Sequence, residues 1–253
     1  MNGDDTPVGR LLTRREALAL LGISGVRLAT GATFGGPSRP GRTGSLPPCV
    51  VRPEQTEGPY FVDELLERAD IRTDPATGAI SPGTPLALTF LLSRLGRGSC
   101  DPLPGAQVDL WQCDALGVYS DVSDPTFNTR GHKFLRGHQR TDGTGRAVFR
   151  TIYPGWYPGR AVHIHFKIRT PAGSPRAAEF TSQLYFDDRL TDKVHASPPY
   201  STKRGSRTRN LSDRIFQRGG DQLVLRPSQV AEGYEATFAL SIDLAQDAGK
   251  GDS

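Results

Sequence analysis

From about residue 85 onward the hydrophobic positions recur at every second residue, the spacing of strands with one buried face. Residues 86–92 (LALTFLL) and 107–112 (QVDLWQ) read as strands, joined by a loop punctuated by Gly96, Gly98, Pro102, Pro104 and Gly105. Residues 146–152 (RAVFRTI) follow the turn sequence TDGTG at 141–145, which predicts a hairpin. Residues 162–168 (VHIHFKI) alternate cleanly, and 181–186, 222–225 and 234–244 complete a set of short strands. A helix is expected only at 62–69, with a turn at 212–215, and there is no internal repeat. Many short strands separated by turn signals predict an all-β fold, a β-sandwich of mostly antiparallel strands with long loops.

The chain has 253 residues, 36% of them hydrophobic, enough for one domain of ordinary size and a leader. The N-terminus reads as an address. Arg14 and Arg15 precede an apolar run at 17–32 interrupted by Arg27, the order of a twin-arginine export signal. A plain amphipathic helix is the alternative. The expected organisation is a signal at 1–32, a Gly/Pro/Ser-rich linker at 33–48, one domain at 49–246 and a disordered tail at 247–253. Export places the protein outside the cytoplasm.

Charge qualifies this picture only slightly. The net charge is +4, but six arginines against three acids in residues 1–48 account for most of it, leaving +1 for the rest. The basic tract 203–209 (KRGSRTR) lies near Pro198 and Pro199 and reads as a solvated loop, so neither nucleic acid nor a membrane is an expected partner. Cys49, Cys100 and Cys113 suit one disulfide and one free thiol in an exported protein; Cys100–Cys113 and Cys49–Cys113 are both open pairings. Oligomerisation is left open.

The sharpest chemical feature is His163-Ile164-His165. On a strand, residues i and i+2 share a face, so both imidazoles can reach one metal ion. The bland alternative is two polar residues on a solvated face. The other three histidines, His132, His138 and His195, read as solvated or structural. Two histidines leave a metal short of ligands. Nearby acids (Asp121, Asp124, Asp142) lie in loops and turns, whereas Tyr119, Tyr153 and Tyr157 offer phenolates, hard anionic donors for a hard trivalent cation. Taken singly, each tyrosine reads as amphipathic packing.

Three segments together resemble the intradiol ring-cleavage dioxygenases, the family of catechol and protocatechuate 3,4-dioxygenases. They are PEQTEGPY at 53–60, PGAQVDLWQCDALGVY at 104–119, and TD at 141–142 followed by FRTIYPGWYPGRAVHIHF at 149–166. The order and spacing match over roughly 50–245. The resemblance implies a transthyretin- or prealbumin-like sandwich core and one non-haem Fe(III) per subunit, held by Tyr119, Tyr157, His163 and His165. It also implies that Arg160 stabilises charge on the substrate, that Gln183 in the QLYF segment positions it, and that Tyr157 doubles as a general base. Tyr153 matches no ligand position. A catechol-type substrate and O2 are the implied partners, and a muconate-type diacid the product.

Two departures stand out. Only five residues separate Tyr157 from His163, which implies a more open pocket than in the family's cytoplasmic members, and the long N-terminal helical region of the catechol branch is absent. The exported leader and the shorter loop look most like the secreted branch of the family. Two other readings remain: a non-catalytic extracellular binding module on the same sandwich, and a zinc or Fe(II) enzyme built on the histidine pair, which needs a carboxylate or third histidine.

Overall fold

The computed structural model describes residues 49–96, 99–170 and 178–243; the leader, linker and tail expected at 1–32, 33–48 and 247–253 lie outside them. The described strands are β1 (Pro85–Leu95), β2 (Cys100–Pro102), β3 (Gln107–Trp111), β4 (Ser123–Asp124), β5 (Phe127–Asn128), β6 (Arg136–Arg140), β7 (Arg146–Ile152), β8 (His163–Arg169), β9 (Glu179–Tyr185), β10 (Ser228–Val230) and β11 (Gly233–Ile242). One helix, α1 (Asp188–His195), follows β9.

Two sheets form the sandwich. β1 is the spine of the first: β11 runs parallel along one side, while β7 and then β2 run antiparallel along the other, and β10 flanks β11. The second sheet is antiparallel throughout, in the order β6-β3-β8-β9. β4 and β5 form a separate small hairpin.

The period-two pattern explains the core. Leu86, Leu88, Phe90 and Leu92 of β1 all point inward and are buried, as are Val108 and Leu110 of β3 and Ile164, Phe166 and Ile168 of β8. The Phe90 ring lies 5.3 Å from Phe166 and 5.9 Å from Phe238, which bridges the two sheets. Each such side chain contributes about 1.5–3 kcal/mol on burial.

The second sheet is also buried on its outer face, and this is where the site forms. Cross-strand register aligns Arg136, Trp111, His165 and Gln183 in one row, with His163 beside Tyr185. The cover over this face includes the segment expected to be helical, 62–69. It is not a helix. Its backbone pairs with the edge of β6: Arg68 N donates to His138 O at 3.0 Å and His138 N to Leu66 O at 2.8 Å. Leu65 sits at φ 52°, outside helical space, and the Arg68 side chain bonds the carbonyls of Thr73 and Arg136. Edge pairing satisfies these backbone groups better than two isolated helical turns could.

Residues 222–225 also depart from expectation. Gly220–Leu223 is a 3-10 turn, and only Val224 bridges to Tyr185. The unexpected helix α1 is capped by Asp187, whose side chain accepts from Arg189 N and Leu190 N. The polar strand β6 carries no period-two signal, because the residues on its cover-facing side are Arg136 and His138 rather than apolar ones. Cys49 pairs with Cys100, with Cα atoms 5.5 Å apart, and Cys113 is a buried thiol. Of the basic tract, Arg207 and Arg209 pair with Asp188 and Asp192, and Lys203 caps the carbonyls of Leu116 and Trp156.

Candidate metal centre

Three pieces of chain converge over the outer face of β8. β8 itself presents His163 and His165. The loop after β3 delivers Tyr119, and the turn between β7 and β8 delivers Tyr157. The β3 loop is shaped by Asp114, whose Oδ1 accepts from Leu116 N at 2.8 Å and Val118 N at 2.9 Å. It presses against the β7–β8 turn so closely that a Cβ on Gly155 would overlap the carbonyls of Ala115 and Asp114, and one on Gly117 that of Trp156. Glycine at these two positions is what lets the two tyrosine-bearing loops meet.

The four side chains form one cluster. The Tyr157 hydroxyl is 3.1 Å from His163 Nε2, which is 2.9 Å from His165 Nε2. The Tyr119 ring centroid lies 5.7 Å from that of Tyr157 and 6.2 Å from that of His165. His163 Nδ1 donates to Ala161 O at 2.6 Å, leaving the Nε2 lone pair facing the cluster. Trp111 stacks on His165 with planes 8° apart and centroids 5.1 Å apart, fixing that ring. Tyr119, His163 and His165 are fully buried, while Tyr157 is half-buried.

Burial sets the protonation states. It holds both imidazoles well below the usual histidine range, helped by the Arg160 charge and, for His165, by His163. It pushes the Tyr119 phenol well above its ordinary value, with the neighbouring Tyr157 adding to the shift. Two neutral imidazoles and a neutral buried Tyr119 phenol thus await a partner that can take their lone pairs.

Arg160 and Gln183 lie against the cluster. Arg160 Nε donates to Asp213 Oδ2 at 3.1 Å, and its Nη2 donates to Gln183 Oε1. Asp213 also accepts from Ala161 N at 2.8 Å. Gln183 Nε2 donates to Thr56 O at 2.9 Å, and the Tyr185 hydroxyl bridges Gln183 and Gln55. Arg160 Nη1 is buried without a hydrogen-bond partner. Burial alone would lower the Arg160 pKa, but the surrounding tyrosines and Asp213 raise it above the ordinary arginine value, so the guanidinium stays charged.

His132 lies against Asp74, His138 near Glu67, and His195 against Pro154 O, all apart from the cluster. Tyr153 packs on Phe186 and bonds Thr191. Asp213, Trp111, Tyr185, Arg136 and Tyr60 had no role in the sequence reading. Asp213 is some fifty residues from Arg160 in an irregular segment, and no local pattern joins them. Tyr60 stands in the PEQTEGPY segment and could have been singled out there. It stacks on Tyr119 at 4.5 Å and meets Tyr157 edge-on at 6.2 Å.

These residues fit a metal ion. The Tyr119 hydroxyl is buried without a hydrogen-bond partner, and two imidazole Nε2 atoms face each other across the spacing of a single hydrogen bond. Among the described residues no group of three or more His, Cys, Asp or Glu comes together, so the oxygen donors at the histidine pair are phenols. Two phenolates and two imidazoles suit a hard trivalent cation better than zinc or a divalent iron bound by carboxylates. A cleft of about 700 Å³, lined by residues including Asp187, Asn210, Arg226 and Thr237, contains none of these side chains.

An all-β sandwich with a buried two-tyrosine, two-histidine cluster on one sheet is thus defined by the geometry. The family model described as Dioxygenase matches residues 56–247, and the chain belongs to the intradiol ring-cleavage dioxygenase family. An intradiol ring-cleavage dioxygenase from Tetranychus urticae superposes with a TM-score of 0.67 at 29% identity, covering 78% of this chain and 96% of that one. The chain is 29% identical over 160 residues to catechol 1,2-dioxygenase 2 of Acinetobacter lwoffii, covering 53% of this chain and 51% of that protein. It is also 29% identical to the protocatechuate 3,4-dioxygenase beta chain of Burkholderia cepacia, covering 60% of this chain and 64% of that protein. The chain therefore spans about half to two thirds of the length of these curated relatives.

Proposed function

We propose that this protein is a non-haem Fe(III) dioxygenase that inserts both atoms of O2 between the two hydroxylated carbons of a catechol-type ring, yielding a muconate-type diacid. The observation that carries this reading is the convergence of Tyr119, Tyr157, His163 and His165 in one cluster, with Tyr157, His163 and His165 at hydrogen-bonding distance and the Tyr119 ring packed beside them. Held by those four side chains, a ferric ion would supply the Lewis acid to which a deprotonated catechol binds.

The chain's own residues do the rest. Tyr157 is the half-buried member of the set, so an incoming catechol meets it first, and its phenolate oxygen is placed to accept a substrate proton. Arg160 aims a fixed charge, with the free Nη1, at the place where negative charge develops on the ring. Asp213 and Gln183 hold that guanidinium from two sides, so no reorganisation is needed when the charge appears. Trp111 and Tyr185 close the buried side of the cluster against water. Export by a twin-arginine signal in residues 1–32 is part of the same proposal, because that route carries folded, metal-loaded protein.

The test is the visible absorption spectrum of iron-loaded protein before and after anaerobic addition of catechol. A phenolate-to-iron charge-transfer band that shifts with catechol, followed by O2 uptake and a diacid product on aeration, is the expected result. Protein that remains colourless after reconstitution with iron would refute the proposal.

A further inference from the structure

Of the side chains around the cluster, most are buried: Tyr119, His163, His165, Trp111, Arg160, Gln183 and Tyr185. The half-buried ones are Tyr157 and Tyr60, and the residues beside them, Pro59, Pro158 and Gly159, are exposed. Solvent therefore reaches the cluster on the side of Tyr157 and Tyr60, which is its mouth. Tyr60 lies on the ligand side of this mouth, with its ring stacked over Tyr119 and its edge against Tyr157. Its hydroxyl points outward and donates to Asp124 Oδ2 at 2.8 Å.

Asp124 comes from the β4–β5 hairpin, where its other oxygen accepts from Thr126 N at 2.8 Å and Thr126 Oγ1 at 2.7 Å. Those bonds and the Tyr60 hydroxyl hold its carboxyl below the ordinary aspartate range, so it is an anion at neutral pH. Phe127 of the same hairpin packs on Tyr60, so the carboxylate is tethered at the rim on two sides. The nearby cations have other tasks. Lys203 lies over Trp156 and bonds two carbonyls, Lys133 pairs with Glu64, and Arg160 is buried against Asp213.

We infer that the Tyr60–Asp124 pair is a charge filter at the mouth, which makes the substrate a catechol whose ring substituents are uncharged or cationic rather than carboxylated. The inference rests on the proposed catechol chemistry. With its two hydroxyls at the Tyr119–Tyr157–His163–His165 cluster, the far edge of a catechol ring points back through the mouth. A substituent there lies beside Tyr60 and faces Asp124. A ring carboxylate at on the order of 6 Å from Asp124, in a partly solvated mouth, meets a repulsion of roughly three- to tenfold in affinity. Among the groups that set the Asp124 carboxyl's charge there is no cation. A hydrogen, alkyl, hydroxyl or ammonium substituent meets no such repulsion. The two curated relatives quoted above are named for one ligand of each kind, so the family alone does not decide between them.

The experiment is an anaerobic equilibrium titration of the iron-loaded full chain, following the visible band, with catechol and with 3,4-dihydroxybenzoate as probes. It is run on the wild type, Asp124→Asn and Asp124→Lys at low and high salt. The wild type is expected to favour catechol over the carboxylated ring by roughly threefold or more, and less so at high salt. Asn keeps an acceptor for Tyr60 but removes the charge, so the ratio should fall toward one; Lys should reverse it. A ratio that is the same in all three proteins would overturn the filter while leaving the catechol chemistry intact. A wild type that shifts its band with neither probe would overturn the filter together with the proposed function. If both variants lose iron, their circular dichroism and tryptophan emission separate misfolding from a role in the metal site, and a folded, iron-free D124N would also overturn a purely electrostatic role.

Discussion

Arg136 offers the sharpest test of how the cluster is held. Its side chain is 1% exposed, yet it bonds no carboxylate. Instead Nε donates to Ser120 O and Ser120 Oγ, both at 3.0 Å, and Nη2 donates to Ser120 O at 2.6 Å. Ser120 is the residue after Tyr119, and its hydroxyl passes the restraint on to Phe134 O at 2.6 Å. Thr129 holds the carbonyl of Tyr119 itself at 2.6 Å. The backbone on the C-terminal side of the Tyr119 ring is thus pinned by two side chains. Burial is what makes the guanidinium costly, lowering its pKa to about 10. The Ser120 carbonyl and hydroxyl offset only part of that desolvation, and Nη1 stays without a hydrogen-bond partner.

Arg136→Met fills a similar volume and removes the charge. It deletes charge-assisted bonds worth about 1.5–3 kcal/mol each when counted singly, and also removes the desolvation cost, so the net loss of stability should be only about 1–3 kcal/mol. The effect on the metal site should be larger in proportion. Releasing a buried support of a ligand typically costs 10–100-fold in metal affinity. Arg136→Lys should fall between the two, since one ammonium cannot reproduce the fork on Ser120. The assay is chelator competition for iron, followed by the visible band, alongside denaturant unfolding. A Met variant with unchanged iron affinity but lowered stability would show that Arg136 is merely structural and would refute the reasoning.

Tyr157→Phe should keep the fold but weaken and shift the charge-transfer band, and should cut turnover by about 10²–10⁴ through loss of the base; unchanged absorption and rate would exclude Tyr157 from both roles. Metal-free protein should lose stability in acid. His163 and His165 stay neutral in the fold, with pKa values well below 6.5, while the unfolded chain protonates near 6.5. Unfolding therefore takes up two protons below that pH, and stability should fall by about 2.7 kcal/mol per pH unit there, measurable by denaturant titration at several pH values. Cys49→Ser should reduce stability by about 4 kcal/mol, the loop-closure estimate for a sequence separation of 51, with a matching loss in wild type under reductant. Gly155→Ala should separate the two tyrosine-bearing loops and abolish iron binding more completely than it lowers the melting temperature.

The strands that bury an apolar face were legible because period two needs only local sequence: β1, β3, β7, β8, β9 and β11 all carry it. In the second sheet and its cover, what local sequence hides has one physical cause. Alternation reports one buried face, and in the second sheet both faces are buried. β8 is covered at nearly every residue, and its outer residues are imidazoles rather than valines. β6 is polar in sequence because Arg136 faces the Ser120 carbonyl and hydroxyl and His138 faces Glu67. The segment 62–69 is amphipathic enough for a helix, but its neighbour is an unpaired sheet edge, and that neighbour is invisible in eight residues of sequence. The same asymmetry governs the site. Strand spacing marks His163 and His165, and the resemblance to the dioxygenase family marks Tyr119 and Tyr157, whereas Asp213, Gln55 and Asp124 reach the cluster or its rim only through the fold. Each of these three acts by holding another side chain, and a holding role imposes geometry on its partner but no pattern on its own neighbourhood. Strand spacing and family motifs therefore mark the residues of the cluster, and the fold is needed to find those that aim and guard them.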